Sequence, residues 1–600
     1  MCGITGYVGD GDCSAIVTKS LKNLEYRGYD SAGIALLDDV LHIHKQSGQI
    51  DDLTVPSIPN ASCGIGHTRW STHGAPTDAN AHPHSDCTEQ VAVVHNGIID
   101  NYETFKQELR DSHTFTSETD TEVIAHLIED ELKNGVQLRD AVENVVSMLS
   151  GSFAIAVTAV GFDGIIAARQ DSPLVIGHAA DATFLGSDVT AFIEHTQTVT
   201  FLEDGDIAHI KADSVTIANG DEHVEREKQT VEWNADAAEK GGYDHYMRKE
   251  IHEQPHAVRQ ALSGRINELS GTVDLDLDLS EEYCKSIDEI QIIACGTSYY
   301  AGLYAAELLE QHADIRVSVH IASEYEFRAN RDPWRTLVIA VTQSGETADT
   351  LRALRKADGA GARTIAVTNT VGSTMAREAN DTVYIRSGPE IGVAATKTFA
   401  SQVITLTLLT VYLGRQRNSL ASSQASTILK ELSAVPGAIQ QVLDAESTVR
   451  ETAEEFANSD AFFFIGRRYG HPVSLEGALK LKEISYDHAE GFAGGELKHG
   501  PLALVTENTP VLAILTEGTN AEDTLHNVKE VESRGAPVIG VTSEIDPNPV
   551  FDITFRVPEV GLMEPVVANV YLQLFAYHVA DQKDRSIDKP RNLAKSVTVE

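Results

Sequence analysis

Short apolar runs alternate with helical patterns through the second half of the chain. Six of these runs have the length and composition of buried strands, and they lie at 291–296, 336–341, 364–369, 461–467, 510–518 and 537–543. The first three and the last three form two similar sets, each with helical segments between the strands. Strands and helices that alternate across short glycine turns indicate parallel sheets covered by helices, so we expect two tandem, doubly wound α/β domains.

The first half also has strand-like runs, at 91–99, 153–159 and 164–168. The segment VIAHLIEDEL at 123–132 has helical periodicity, and the polar SETDTE before it has the residue types of a helix N-terminal cap. A charged stretch from about 222 to Gly242 follows and is typical of an interdomain linker.

One segment of the second half combines helical periodicity with unusual chemistry. In SLEGALKLKEIS, the residues Glu476, Lys480 and Glu483 recur at helical spacing and therefore share one face. Glycines from Gly491 onward are expected to break the helix, and GELKHGP places His499 on a tight loop. A helical carboxylate and a loop imidazole can move protons on one substrate. The simpler interpretation is a salt-bridged surface helix followed by a turn.

Two hydroxyl-rich loops follow predicted strands of the first set, CGTS at 295–298 and TQSGET at 342–347. Ligands of parallel α/β sheets bind beyond the carboxyl ends of the strands, where backbone N–H groups, hydroxyls and a helix dipole suit a phosphate dianion. Ordinary capped turns are the alternative. The second set has no comparable loop at 516–520, so we expect the phosphate in the first.

The N-terminal residues indicate a different kind of chemistry. Removal of Met1 would give Cys2 a free α-amine, which titrates near pH 8 and can accept the proton of the thiol. Asn96 and Gly97 place an amide beside an unhindered backbone N–H, which could form an oxyanion hole. Taken singly, each feature also fits a buried cysteine or a hairpin turn.

Chain length and charge narrow the possible functions. The 600 residues correspond to several domains of roughly 100–200 residues each. The formal net charge of −42 argues against nucleic acid or an anionic membrane as a partner, because both would repel the protein. Acidic runs such as DLDLD at 274–278 predict solvated faces, and we expect adaptation to a high-salt cytoplasm that screens their repulsion.

No segment predicts a membrane span, a signal peptide or a disulfide framework. The longest apolar run, at 403–413, is too short to span a bilayer and predicts a buried helix. The start MCGI lacks the basic and apolar regions of a signal peptide. The six cysteines include no CxxC pair, which fits a reducing, cytoplasmic location. His82 and His84 flank a proline without a nearby third ligand, so no metal site is predicted.

Together these segments resemble a known family. Cys2, YRGYDS at 26–31, GHTRWSTHG at 66–74, HNG and SETDTE resemble the N-terminal-nucleophile glutaminase domain. EGALKLKEISY, GELKHGP and the tail RNLAKSVTVE resemble the isomerase half of glutamine–fructose-6-phosphate aminotransferases. The resemblance implies an αββα sandwich glutaminase domain at 2–222, a linker at 223–244, sugar isomerase (SIS) domains at 245–430 and 431–584, and a catalytic tail at 585–600.

The resemblance implies conversion of L-glutamine and D-fructose 6-phosphate into L-glutamate and D-glucosamine 6-phosphate, the first step of hexosamine biosynthesis, without metal or cofactor. In the glutaminase half, Cys2 would be the nucleophile, and Asn96 and Gly97 would hold the oxyanion. The residues expected to bind or surround glutamine are Arg27, Arg69 (α-carboxylate), Trp70, His73 and Asp120 (α-ammonium).

For the isomerase half, the resemblance implies that ammonia passes through the interior to the sugar. Glu483 would move a proton between C1 and C2, His499 would help open the ring, and Lys595 would form a Schiff base. The residues expected to bind the sugar phosphate or to organise this base are Ser298, Thr342 (commonly serine in the family), Gln343, Ser344, Thr347, Val393, Glu476 and Lys480. The resemblance also implies a homodimer in which His499 reaches the neighbouring site.

Two other functions remain open at this point. A phosphoribosyl amidotransferase would share the first half but would need a pyrophosphate-binding second half, which the repeat and the tail disfavour. A sugar-phosphate sensor would bind without turnover, which the presence of both Glu483 and Lys595 disfavours.

Overall fold

The chain folds as two units in the computed structural model, Met1–Glu239 with Ala594–Glu600, and Lys240–Leu593. The structure describes residues 2–70, 74–220, 222–231, 240, 242–544 and 548–598, with Tyr26 described by its backbone alone. No helix within these ranges is long and apolar enough to cross a membrane.

The first unit consists mainly of strands. Its strands are β1 (Gly3–Gly9), β2 (Ser31–Leu37), β3 (Leu41–Ser47), β4 (Cys63–Arg69), β5 (His84–Ser85), β6 (Val91–Ile99), β7 (Gly151–Ala159), β8 (Ile165–Gln170), β9 (Val175–His178), β10 (Ala182–Gly186), β11 (Thr198–Phe201), β12 (Asp206–Ile210), β13 (Val215–Asn219), β14 (Glu222–Val224) and β15 (Lys228–Thr230). Its helices are α1 (Cys13–Leu24), α2 (Tyr102–Leu109), α3 (Glu122–Lys133) and α4 (Leu138–Met148).

These strands form two sheets, ordered β15-β11-β9-β10-β1-β4-β2-β3 and β14-β13-β12-β8-β7-β6-β5. Side chains alternate across each strand, so Ile4 and Val8 of β1 pack between the sheets while Tyr7 faces the α1 side. On the far face of the other sheet, α3 and α4 cover Val91 and Val93. The layers are therefore helix, sheet, sheet and helix, which confirms the predicted αββα sandwich.

The second unit alternates helices and strands. Its helices are α5 (Tyr246–His252), α6 (Gln254–Leu262), α7 (Glu281–Ser286), α8 (Gly296–Ala313), α9 (Ala348–Gly359), α10 (Thr374–Glu378), α11 (Lys397–Gln416), α12 (Ser422–Asp444), α13 (Glu446–Phe456), α14 (Gly470–Ser485), α15 (Ala521–Glu532) and α16 (Glu564–Gln582). Its strands are β16 (Ile266–Asn267), β17 (Thr272–Val273), β18 (Glu289–Ala294), β19 (Arg316–Ile321), β20 (Thr336–Val341), β21 (Arg363–Thr368), β22 (Asp381–Tyr384), β23 (Phe462–Gly466), β24 (Ala489–Ala493), β25 (Val511–Leu515), β26 (Val538–Thr542) and β27 (Ile553–Arg556).

Two parallel five-stranded sheets organise this unit, ordered β19-β18-β20-β21-β22 and β24-β23-β25-β26-β27. Both faces of each sheet are covered, because neighbouring residues such as Ile292 and Ile293 belong to different cores. The repeated, doubly wound α/β architecture is therefore confirmed. The apolar run at 403–413 lies within α11 and is almost wholly buried, as the sequence predicts.

The structure differs from the sequence-based predictions at several local points. Helix α14 ends at Ser485, before the glycines, because Tyr486 adopts a left-handed conformation with φ 66°. Gly491 then lies in the edge strand β24 instead of in a loop. Strand β15 lies inside the stretch 223–244 that the sequence predicts as linker, because Lys228–Thr230 pairs with β11 and extends the sheet.

Candidate active sites

The thiol of Cys2 is held at the start of β1. Strand β1 pairs with β4 so that Gly3 lies opposite Thr68, which brings Cys2 next to Trp70. The Trp70 N–H donates to Cys2 Sγ at 3.4 Å, and the thiol faces the Trp70 carbonyl at 3.6 Å. Burial raises the pKa of the Cys2 thiol, with partial opposition from the Trp70 hydrogen bond and the charge of Arg69. The thiol therefore needs a base to become a nucleophile at neutral pH.

The side-chain amide of Asn96 is held beside Cys2 by its hydrogen bonds. Asn96 Nδ2 donates to the Cys2 carbonyl at 2.9 Å and to Ser187 Oγ at 2.8 Å. His67 Nε2 lies 3.1 Å from Asn96 Oδ1 and 2.9 Å from the carbonyl of His95. Both partners are acceptors, so Nε2 carries the proton. Burial lowers the pKa of His67 to about 3, which keeps this imidazole neutral while it orients Asn96.

Gly97 follows Asn96 within β6 at a position that requires glycine. Its φ is 125°, and a Cβ there would lie 1.9 Å from the Ser152 carbonyl oxygen. Glycine alone fits both the conformation and the close approach of β7. The strand continues to Ile99, as the apolar run at 91–99 predicts.

The structure places most of the predicted glutamine-binding residues at or beside the ends of strands near Cys2 and Asn96. Arg69 is buried at the end of β4, with its guanidinium near the carbonyls of Gly74 (3.2 Å) and Ala75 (3.4 Å). Asp120 Oδ2 accepts the N–H of Ile99 at 2.8 Å. Arg27 pairs with Asp188 at 2.8 Å. His73 lies outside the described residues.

The two hydroxyl-rich loops lie at the switch point of the first parallel sheet. Chain connections leave β18 and β20 in opposite directions, towards β19 and β21, so a crevice opens between their carboxyl ends. Ser298 lies in the first turn of α8, which begins directly after β18, and not in a loop as the sequence predicts, and the loop 342–347 follows β20. Both segments therefore lie beyond the carboxyl ends of their strands, as the sequence predicts.

In each of the two segments, a serine hydroxyl accepts a hydrogen bond, so its own hydrogen remains able to donate. Ser298 Oγ accepts from Gln402 Nε2 at 2.8 Å, and Ser344 Oγ accepts from the Glu346 N–H at 3.1 Å. The hydroxyls of Thr342 and Thr347 are 3.2 Å apart.

Gly345 turns the second loop with φ 69°, and a Cβ there would lie 2.1 Å from Ser373 Oγ. In the second sheet, by contrast, Thr519 Oγ1 donates to the carbonyl of Thr516 at 2.6 Å. The hydroxyl of Thr519 is therefore already used by its own loop.

Buried charges connect α14 to the first turn of α8. Lys480 Nζ lies 2.6 Å from Glu483 Oε2 and 3.4 Å from Glu476 Oε1, and it donates to Thr297 Oγ1 at 3.1 Å. Thr297 Oγ1 in turn donates to Glu476 Oε1 at 3.2 Å. Lys480 and Glu476 are fully buried, whereas the Glu483 side chain is 19% exposed. The accessible carboxylate of this group is therefore Glu483.

The pKa values of this group differ with burial. Burial raises the pKa of Glu476 to about 7, since the nearby Lys480 ammonium offsets it only in part and Glu483 adds to it. Burial by itself would lower the pKa of Lys480, but the two carboxylates outweigh that effect and raise it. One ammonium thus faces two carboxylates, and the fully buried one, Glu476, retains a proton more readily than a free glutamate does.

The remaining predicted residues lie on other segments of the chain. His499 is exposed at the end of the 3₁₀ turn Gly494–His499. The Val393 N–H donates to the carbonyl of Asp588 at 3.1 Å. The Arg591 N–H donates to Tyr486 Oη at 2.9 Å, which holds the start of the tail at the end of α14. Lys595 is half-buried, and the structure groups it with the first unit.

Sequence reasoning missed three residues that organise these sites. Ser187 accepts from both Asn96 and the backbone of Ile4, at 2.8 Å each. Gln402 holds Ser298, and Thr297 joins the first loop to α14. Thr297 stands beside Ser298 in a loop that the sequence singles out, but its partners are about 180 residues away and leave no local signal.

Comparisons with known proteins agree with this architecture. A family model for the SIS domain matches residues 284–412 and 455–580, and a model for a glutamine amidotransferase domain matches residues 67–194. A relative from Halobacterium salinarum, named glutamine–fructose-6-phosphate aminotransferase (isomerizing), is 60% identical over 601 residues. Relatives of the same name from Methanosarcina mazei and Thermus thermophilus are 47% and 45% identical. Each of the three alignments covers 100% of both chains.

A solved structure is similar to the second half. The C-terminal domain of glucosamine-fructose-6-phosphate aminotransferase from Francisella tularensis is 37% identical, with a TM-score of 0.55. The match covers 59% of this chain and 99% of that one.

Proposed function

The chain belongs to the family of isomerizing glutamine–fructose-6-phosphate aminotransferases, and from that membership we propose that it makes D-glucosamine 6-phosphate and L-glutamate from D-fructose 6-phosphate and L-glutamine. One observation carries the proposal for the sugar site. Thr297 bonds both Lys480 and Glu476, and so joins the loops suited to phosphate with the helix face suited to proton transfer.

In the glutamine half, the Cys2 thiolate attacks the carboxamide carbon, and the thiol proton passes to the α-amine that removal of Met1 frees. The oxyanion is held by Asn96 Nδ2 and the Gly97 N–H. Ammonia leaves, and water hydrolyses the thioester to glutamate. Arg69 binds the α-carboxylate of glutamine, and Asp120 binds its α-ammonium group. The residues that surround this site in the proposal are Arg27, Trp70 and His73.

In the sugar half, the two hydroxyl loops anchor the phosphate, so that C1 and C2 of the sugar lie towards Glu483. His499 assists ring opening, Lys595 forms an imine at C2, and ammonia then replaces the lysine. Glu483, held by Lys480 at 2.6 Å, carries the proton between C2 and C1. The residues that we assign to the phosphate and sugar contacts are Ser298, Thr342, Gln343, Ser344, Thr347 and Val393.

We further propose a homodimer in which His499 completes the neighbour's site, supported by the exposure of His499 on its turn. Hybrid complementation tests this arrangement. His499→Ala and Glu483→Gln should each be inactive alone. Mixed and re-assembled subunits should recover about a quarter of wild-type synthesis, because half of the dimers are hybrids with one complete site. No recovery would mean that His499 acts within its own subunit.

The decisive experiment measures D-glucosamine 6-phosphate from the purified full-length protein with saturating glutamine and fructose 6-phosphate. Formation of glutamate and amino sugar in equal amounts supports the proposal. A sugar-phosphate sensor would bind fructose 6-phosphate without turnover. A phosphoribosyl amidotransferase would instead release pyrophosphate from a phosphoribosyl diphosphate donor, which makes that donor the control substrate.

A further inference from the structure

Four side chains with metal-binding atoms converge where α3 packs on β5 and β6 of the first unit. Cys87 lies in the turn between β5 and β6, His113 follows α2, and His126 and Glu129 lie one helical turn apart on α3. Their ligand atoms all lie within 4.8 Å of one another. The Cys87 side chain faces solvent, and the other three residues are buried. An ion therefore has a route of entry and a buried place to bind.

The four atoms form a closed ring of contacts. Cys87 Sγ lies 3.6 Å from His113 Nδ1 and 3.7 Å from His126 Nδ1. Glu129 Oε2 lies 3.1 Å and 3.5 Å from the same two nitrogens. Tetrahedral zinc, with bonds of about 2.0–2.3 Å, separates its ligand atoms by about 3.3–3.6 Å. The observed spacing is close to that of a zinc site.

Hydrogen bonds alone cannot bridge all four contacts of this ring. Each Nδ1 faces both the sulfur and the carboxylate oxygen, but a single N–H can point at only one of them. A cation at the centre instead contacts one lone pair from each of the four atoms, and a thiolate and a carboxylate neutralise its two charges. We propose that Cys87, His113, His126 and Glu129 bind one Zn²⁺ ion or a similar thiolate-binding divalent cation.

The groups around the ring orient its members toward the centre. Asp130 Oδ1 lies 2.9 Å from His113 Nε2, which fixes that proton away from the ion and leaves Nδ1 as the ligand. Lys133 pairs with Glu129 Oε1 at 2.7 Å. Glu129 Oε2 accepts the Cys87 N–H at 3.0 Å and has a further lone pair for the ion. A carboxylate that accepts from a metal-binding histidine, as Asp130 does from His113, is usual at protein metal sites.

Four protein ligands leave no open position, so the ion has a structural role. It ties the β5–β6 turn to the loop after α2 and to α3. Strand β6 carries Asn96, and Asp120 lies just before α3. The ion thus braces the elements that hold the glutamine site, and its binding releases the thiol proton of Cys87.

The test is metal content and the cobalt spectrum of the full-length protein. After chelator treatment and reloading with Zn²⁺, the wild type should hold one ion per chain, and Cys87→Ser and His113→Gln should lose it. His209→Gln, a histidine of the same unit outside the ring, is the matched control. Co²⁺ should give an intense thiolate charge-transfer band in the wild type that Cys87→Ser lacks. Asp130→Asn should weaken binding about 10- to 100-fold.

A second measurement needs no substitution. Zn²⁺ should slow alkylation of Cys87 at least tenfold in the wild type, with Cys295 in the same digest as the internal reference. The proposal is overturned if the wild type takes up neither metal at micromolar concentration, if Cys87→Ser gives the same cobalt spectrum, or if alkylation of Cys87 is unchanged by zinc.

Discussion

Lys480 Nζ and Thr297 Oγ1 are 3.1 Å apart, and this hydrogen bond joins the two SIS domains of the chain. Thr297 stands at the start of α8, directly after a strand of the first parallel sheet, and Lys480 lies on α14 beside the second. The link continues from Thr297 to Glu476 at 3.2 Å. Helix α14, which carries the proposed base Glu483, is thus fixed to the first turn of α8, which carries Ser298 of the proposed phosphate site.

The buried carboxyl of Glu476 should make stability depend on pH. Its folded pKa of about 7 exceeds the ordinary 4.5, so its full contribution is present below pH 4.5 and is lost as the pH rises to 7. The difference is worth about 3 kcal/mol at pH 8. Glu476→Gln keeps the shape without the charge. It should match the wild type near pH 4.5 and melt at a higher temperature at pH 8.

The measurement is the melting temperature of both proteins between pH 4.5 and 8, compared as a difference so that other titrating groups cancel. Glu522→Gln, an exposed carboxylate on α15, is the control and should show no such trend. A Glu476→Gln protein that is equally or less stable than the wild type at pH 8 would show that Glu476 is charged and well paired there.

Much of the fold was predictable because local composition decides it. The run TLVIAV at 336–341 coincides with β20, and the apolar run at 403–413 lies in α11, since both are buried on all sides. The end of α14 was not predictable. Tyr486 ends the helix in a left-handed conformation, and its hydroxyl accepts a hydrogen bond from the Arg591 N–H. Arg591 is distant in sequence, so this contact leaves no local signal, and the glycines after Tyr486 suggested a later helix end.

The candidate sites were also predictable only where their residues are close together in the sequence. Glu476, Lys480 and Glu483 share a helix, so their proximity is a matter of spacing. The ring of Cys87, His113, His126 and Glu129 was not predicted, because only the last two are neighbours on one helix. Such i, i+3 pairs are common, and the other two residues reach the ring through the packing of α3 on β5 and β6.

Cys2→Ala should separate the two sites. Glutamine hydrolysis should disappear because no nucleophile remains, while slow isomerisation of the sugar should persist because Glu483 is intact. The measurements are glutamate release and conversion of fructose 6-phosphate, with Cys13→Ala as the control. N-terminal sequencing of the wild type should begin at Cys2. Glutaminase activity in purified Cys2→Ala would refute the nucleophile assignment.

Ser344→Ala and Thr347→Ala should each weaken binding of the sugar phosphate. A hydrogen bond to a charged group contributes about 1.5–3 kcal/mol, so the KM for fructose 6-phosphate should rise roughly 10- to 100-fold. The KM for glutamine should change little. Ser323→Ala, an exposed serine outside the loops, is the control. An unchanged KM in both variants would place the phosphate elsewhere.

Salt should stabilise this protein. Its net charge is −42, and Asp274, Asp276 and Asp278 are exposed, while Leu275 between them and Leu279 after them are buried. The screening length falls from about 30 Å at 0.01 M to about 3 Å at 1 M, which relieves the self-repulsion. The melting temperature and activity should therefore rise from dilute buffer to molar KCl, and by more than in sucrose of equal osmolality. If fold and activity are the same in dilute buffer and in molar KCl, the hypothesis of salt adaptation is wrong.

Lys595 should form an imine with the sugar. A free lysine titrates near pH 10 and is rarely neutral at pH 7, so Lys595 must be enclosed when sugar is bound. The tail contacts the end of α14 four residues before Lys595, where the Arg591 guanidinium lies 4.4 Å from the centre of the Tyr486 ring. Tyr486 is close to Glu483 in sequence. Borohydride with fructose 6-phosphate should trap an adduct on Lys595, found by peptide mapping. Lys595→Arg should lose synthesis and keep glutamine hydrolysis, because arginine cannot form the imine, while Lys589→Arg should retain both. Synthesis at near wild-type rate in Lys595→Arg would mean that another amine, or none, reacts with C2.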